Sequence, residues 1–254
     1  MNTIAIHQRP SLRCYWLEAR CEFLRVLRAP AFAVPTLVFP PMFYLLFGVL
    51  LAGRGHTPQA ATYLFATYGV FGVMAPGLFG FGVSIALDRE RGFLALKRAL
   101  PVPAGSLLLA RMAMAMLFAT IIAAMLIALA TTLGGVVLSP ARLALLALVD
   151  IVGVLPFCAM GLYIGTVAGG QGAPAVINLI YLPMAFLAGL WLPLSVLPPI
   201  FAKLAPLWPA YHLAQIALPV VGLPGTGSIA GHVAMLAAVG LAFFAAARRR
   251  LARA

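Results

Sequence analysis

An all-α, polytopic membrane protein is what this sequence predicts, and three observations predict it. Of 254 residues, 64% are hydrophobic and only 9% charged, where a soluble chain is roughly 45–50% apolar. The mean hydropathy is +1.07. Apolar residues fall in runs of about 20, the length a helix needs to cross a bilayer core. The third observation is where the basic residues sit. Arg9, Arg13, Arg20, Arg25 and Arg28 precede the first run. Arg89, Arg91, Lys97 and Arg98 lie between the second and third, and Arg248, Arg249, Arg250 and Arg253 follow the last. Only Arg54, Arg142 and Lys203 fall in the alternate loops, and Arg111 begins a span. That bias puts both termini in the cytoplasm, so the number of spans is even.

The net charge of +12 would suggest nucleic acid in a soluble chain. Here every basic cluster abuts an apolar run, so the partner is anionic lipid headgroups. No nucleic-acid role is expected. The N-terminus lacks a short apolar stretch ending in a small-residue cleavage site, so it reads as retained. Cys14, Cys21 and Cys158 are odd in number and have no metal-type spacing, which gives no disulfide framework.

The first element is an amphipathic helix over Ser11–Arg28. Leu12, Trp16, Ala19, Phe23 and Leu27 recur at helical spacing, while Arg13, Glu18, Glu22, Arg25 and Arg28 are turned largely elsewhere. Such a helix lies along the membrane interface, with Tyr15 and Trp16 suited to the headgroup level. Six spans follow, over 31–52, 63–87, 112–133, 143–167, 173–194 and 229–247. Pro35, Pro40 and Pro41 predict a bend in the first. The second carries Gly69, Gly72, Gly77, Gly80 and Gly82. The fourth has Gly161, Gly165 and Gly169 at four-residue spacing, a small-residue stripe for helix packing. Packing within one subunit is preferred over a dimer seam.

Residues 193–224 do not read as a span. Seven prolines break them (Pro193, Pro198, Pro199, Pro206, Pro209, Pro219 and Pro224), yet they are too apolar for an exposed loop. Short re-entrant helices on the outer side fit, covered by protein or lining a cavity, and would form an outer lid.

Chemistry-bearing motifs are almost absent. No Gly-x-x-x-x-Gly-Lys-Ser/Thr occurs, and Lys97 and Lys203 are the only lysines, so this chain has no P-loop. No metal-ligand spacing and no nucleophile–base pair can be assembled, and no catalytic residue, cofactor or metal site is expected. Asp150 is the one acid well inside a span. An ionisable group at that depth invites a functional reading, namely a stand-alone proton-coupled transporter. A structural, hydrogen-bonded Asp is the alternative, and the lack of a second such group or of repeat symmetry favours it.

The stretch Asp88-Arg89-Glu90-Arg91-Gly92-Phe93-Leu94-Ala95-Leu96-Lys97-Arg98-Ala99-Leu100-Pro101-Val102-Pro103 resembles the cytoplasmic coupling segment of type 2 ABC exporter permeases. Glu22-Phe23-Leu24-Arg25-Val26-Leu27-Arg28 followed by Pro30 is similar to the family's interfacial helix leading into span one. Phe186-Leu187-Ala188-Gly189-Leu190-Trp191-Leu192-Pro193, with Leu197-Pro198-Pro199 and Leu204-Ala205-Pro206-Leu207-Trp208-Pro209, is similar to its signature at span five and the outer re-entrant helices. The resemblance covers nearly the whole chain, a single transmembrane permease domain over 1–254.

The resemblance implies a permease in the bacterial inner membrane that forms a dimer, expected to be of identical chains. It implies two separate ATPase subunits that carry ATP and Mg, and export of a hydrophobic or amphipathic substrate such as a drug or lipid. The coupling residues it implies are Asp88, Glu90, Arg91, Gly92, Leu94 and Lys97, within 88–103. Many members carry a second acid where this chain has Ala95 and Leu96, so the electrostatic part of coupling falls on Asp88 and Glu90. A substrate path lined by Tyr68, Phe71, Met74, Tyr181 and Met184 is expected from the second and fifth spans. Core packing accounts for those five residues equally well.

Overall fold

The computed structural model describes residues 12–51, 58–93, 96 and 105–252, and among them every regular element is helical. An interfacial helix α1 (Leu12–Leu27) leads into α2 (Pro30–Phe43), which runs on as π-helical turns over Tyr44–Leu50. The second long rod comprises α3 (Pro58–Ala75), a π turn (Pro76–Gly80) and α4 (Phe81–Glu90). Then come α5 (Ser106–Thr132), α6 (Pro140–Val167) and α7 (Ala173–Leu187). Two short helices, α8 (Pro199–Leu204) and α9 (Pro209–Val220), precede the last, α10 (Ile229–Leu251).

Among the described residues, five stretches are long and apolar enough to cross a membrane: Pro30–Leu50, Gln59–Glu90, Ser106–Thr132, Pro140–Val167 and Ile229–Leu251. They correspond to predicted spans one, two, three, four and six. The chain is a multi-pass membrane protein.

The fifth span differs from its expected extent of 173–194. Its helix α7 has 15 residues, about 22 Å at ~1.5 Å each, short of a ~30 Å hydrocarbon core. Gly189 ends it, taking φ +77°, a left-handed conformation that a side chain would disfavour. Leu190 N–H then donates back to Ala185 O at 3.0 Å and closes the helix end. The segment nevertheless reaches both ends of the second rod. Gly170, just before α7, lies against the Glu90 carboxylate. At the other end the Tyr63 hydroxyl donates to Gly189 O at 2.7 Å.

Prolines widen helices here instead of breaking them. Pro35, Pro40 and Pro41 all lie inside α2, and the ladder weakened by their missing N–H groups re-forms as π turns from Tyr44. Pro76 likewise opens the π turn in the second rod. The glycine stripe of α6 packs within the subunit. A Cβ at Gly161 would fall 2.6 Å from Gly77 O, and one at Gly165 would fall 2.6 Å from Gly82 O. Two backbones therefore touch, which only glycine permits.

The proline-rich segment does form short helices, but its two halves differ. Val196, Ile200 and Leu207 are exposed, whereas every residue from Pro209 to Leu218 is buried. Helix α9 packs against α3, α6 and α10, so this half is part of the bundle core and not a lid resting on it.

Candidate functional site

One end of the bundle gathers the charges. Arg111, on the first turns of α5, is wholly buried and pairs through Nη2 with Asp88 Oδ2 at the end of α4. Its Nε lies 3.7 Å from Glu22 Oε1 on α1. Arg25, one turn along α1, closes the ring, with Nη2 2.6 Å from Glu22 Oε2 and Nη1 3.5 Å from Asp88 Oδ1. Two acids thus answer two cations across three elements. A guanidinium out of water needs such partners, since its fixed fork presents five donors.

This network sets how α1 sits. The sequence laid an apolar stripe along the membrane interface with the charges turned elsewhere; in the bundle Glu22 and Val26 are the buried positions, and Trp16, expected at the headgroup level, is 68% exposed. The protein-facing side of α1 is held by the ion pairs and by the Phe23 ring, edge-on to Phe118 with centroids 5.7 Å apart. Arg111 is the functional candidate that sequence reasoning missed.

Arg89, next to Asp88 in the chain, turns the other way. Nη1 donates to Thr166 O and Nη2 to Ala168 O at 2.8 Å, satisfying carbonyls left open at the C-terminal end of α6. The guanidinium of Arg250 lies 6.0 Å from the centre of the Tyr163 ring on the same turn region. The end of α10 and the interfacial helix α1 therefore share one end of the bundle.

Of the expected coupling residues, Asp88 is buried, while Glu90, Arg91 and Gly92 are exposed. Gly92 takes φ +73°, and Leu96 N–H donates to its carbonyl at 3.1 Å, one helical turn beyond the rod. Phe93 and Leu96 are exposed apolar residues on that turn. Leu94 and Lys97 lie outside the described residues.

An apolar groove of ≈ 590 Å³ runs between α2, the second rod and α7. Of the expected path residues, Phe71 and Tyr181 line it. Their rings stack at 5.1 Å, and the Tyr181 hydroxyl donates to Phe71 O at 3.3 Å. Tyr68, Met74 and Met184 are buried in the core behind it. Among the described residues no charged side chain borders the groove, and Thr36, Asn178 and Trp191 supply its polar groups. Asp150 is elsewhere, buried against Gly69 of α3, where an added Cβ would lie 2.5 Å from Oδ2. Its Oδ1 has no hydrogen-bond partner among the described residues.

A buried charge network at one end and an uncharged groove leading away from it are parts expected of a transport chain, and comparison with known proteins decides the family. The ABC-2 type transporter pattern matches residues 14–221. The chain belongs to the ABC-2 type transporter family. It is similar to the "Putative transport permease YvfS" of Bacillus subtilis (strain 168), 27% identical over 206 residues, which is 80% of this chain and 84% of that protein. It is therefore a membrane subunit of an ABC transporter, a transport chain of a family that in general works with an ABC ATPase. The matched range of this ABC-2 permease takes in α1 from its third residue, the whole charge network and α9.

Proposed function

We propose that this permease exports a hydrophobic or amphipathic molecule from the cytoplasm as a pair of identical copies, driven by two separate ATPase subunits. The observation that carries the substrate class is the groove, whose lining among the described residues has aromatic and aliphatic side chains and no charged one. A charged solute would have to shed its water there without a counter-charge. The positive-inside bias supports placing the charged end of the bundle in the cytoplasm, where an ATPase would dock.

Glu90 and Arg91, with the turn begun by Gly92, form the contact surface for that ATPase, and Leu94 and Lys97 extend it. Asp88 acts through the network: it ties the end of α4 to α1 and α5, so a push on the coupling segment moves all three together. Closing of the ATPase dimer on ATP then tilts the second rod against α2 and α7 and changes the shape of the groove. Phe71 and Tyr181 contact substrate. Affinity purification of the tagged permease from solubilised membranes tests this reading. A chain bearing a Walker motif should co-purify, and Glu90→Lys together with Arg91→Glu should release it. A permease that purifies alone and transports alone would contradict it.

A second reading rests on Asp150, buried and without a cation beside it among the described residues. A proton-coupled transporter would use it as its carrier group. In that case transport would follow a proton gradient and stop in Asp150→Asn.

A further inference from the structure

At the end of the bundle opposite the charge network, α9 and the head of α10 face each other through two imidazoles. His212 Nδ1 and His232 Nδ1 lie 2.8 Å apart. The second nitrogen of each ring faces a backbone carbonyl: His212 Nε2 is 2.9 Å from Pro206 O, and His232 Nε2 is 2.5 Å from Thr226 O. A carbonyl oxygen can only accept, so both Nε2 atoms carry a proton. A neutral imidazole has one proton, and two neutral rings placed this way would set lone pair against lone pair across 2.8 Å. A nitrogen–nitrogen contact of that length is a hydrogen bond and needs a proton of its own. Three protons on two imidazoles make one positive charge.

We infer that His212 and His232 form a proton-binding site, in which one shared proton clasps the segment between α7 and α10 to the last span. Both rings are largely buried, 9% and 8% exposed, so solvent does not complete their bonding. The clasp extends outward: Tyr211 Oη lies 2.6 Å from Thr226 Oγ1, and Thr226 N–H donates to Gln215 Oε1 at 2.7 Å. Releasing the imidazoles would free Pro206 and Thr226 together, on either side of α9.

The ionisable groups on the elements packed around the pair do not replace that proton. Tyr211 on α9 touches both rings, with centroids 5.5 Å and 6.1 Å away, and its hydroxyl is engaged with Thr226. On α6, Arg142 lies beside Gly222 and Asp150 lies against Gly69. On α3, Tyr63 is bonded to Gly189. Burial holds His212 below the ordinary histidine range; its bond to Pro206 O opposes this, and the charge on His232 adds to it.

The sign follows from the count. A second proton, entering as pH falls through the lowered His212 value, sets two N–H groups and two charges against each other. Loss of the shared proton as pH rises removes the bond. The clasp therefore holds in the one-proton state and loosens on both sides of it. The inference is independent of whether the chain is a permease.

Histidine-selective 15N labelling of the full chain in lipid bilayers tests it by solid-state NMR, since the sequence has only four histidines. The pair should show three protonated nitrogens at neutral pH, one of them an Nδ1 shared between rings, with the fourth gaining its proton only below the ordinary range of about 6.5. His212→Gln and His232→Gln assign the signals, and each should abolish the shared-proton resonance of the other ring. Should either variant fail to fold, the wild-type titration alone gives the proton count. Two protonated nitrogens at neutral pH, or two rings titrating independently in the ordinary range, would overturn the inference.

Discussion

Arg111 at the start of α5 and Asp88 at the end of α4 form an ion pair in which the guanidinium is wholly buried. The two residues are 23 positions apart, at opposite ends of the segment that enters and leaves the coupling region. Because Glu22 and Arg25 complete the ring from α1, the interfacial helix and two spans meet at a single charge-balanced point.

Removing the buried cation should be costly. Arg111→Met leaves Glu22 and Asp88 out of water without their main counter-charge, a loss of about 3–5 kcal/mol. Thermal unfolding in detergent should fall clearly, while Arg25→Met, at a half-exposed position, should cost far less. Equal effects of the two would show that the network does not order α1.

The two acids of the coupling segment should separate. Asp88→Asn weakens a buried ion pair and should lower stability and yield. Glu90→Gln, on an exposed residue, should leave the melting curve unchanged and reduce ATPase stimulation in the complex. If instead Asp88→Asn were as stable as wild type and merely uncoupled, Asp88 would belong to the docking surface.

Glycines of the four-residue stripe, two on α6 and Gly169 just past its end, differ in what surrounds them. Gly161→Ala would drive a Cβ onto Gly77 O and Leu78 O. Backbone cannot step aside cheaply, so the expected loss is roughly 1–3 kcal/mol. Gly169→Ala has open space within 4 Å and should be silent. Denaturation of the two variants side by side checks this, and a silent Gly161→Ala would refute the close backbone contact.

Asp150→Asn keeps size and polarity, and its fold should survive, because among the described residues no cation answers an ionised carboxylate there. ATP-driven transport should persist in this variant. Loss of transport in a correctly assembled protein would favour the proton-coupled reading.

Much of this was legible from composition alone. Runs of apolar residues and the distribution of arginines pointed to five of the long apolar helices, because both are read one segment at a time, although the third starts at Ser106, six residues before the expected 112. The fifth helix was overextended: its apolar run continues through Trp191, but Gly189 turns the chain, and hydropathy does not register a backbone angle. The apolar stripe of α1 was read as lying along the interface, and Trp16 and Leu27 are exposed, but periodicity did not show that Glu22 is what the bundle holds. A signal for that network did exist. With only five acidic residues in the chain, Arg111 at the mouth of a span had to be answered by one of them. The pairing of His212 with His232 had no such signal, because it depends on how α9 returns into the bundle.

The most direct test of the central claim is reconstitution. The permease and its co-purifying ATPase, placed in proteoliposomes with a lipophilic fluorescent dye, should move the dye when ATP and Mg are supplied. A proton gradient alone should have no effect, and a Phe71→Ala, Tyr181→Ala variant should retain assembly while transporting several-fold less. Dye movement that follows a proton gradient without ATP, and stops in Asp150→Asn, would contradict the account.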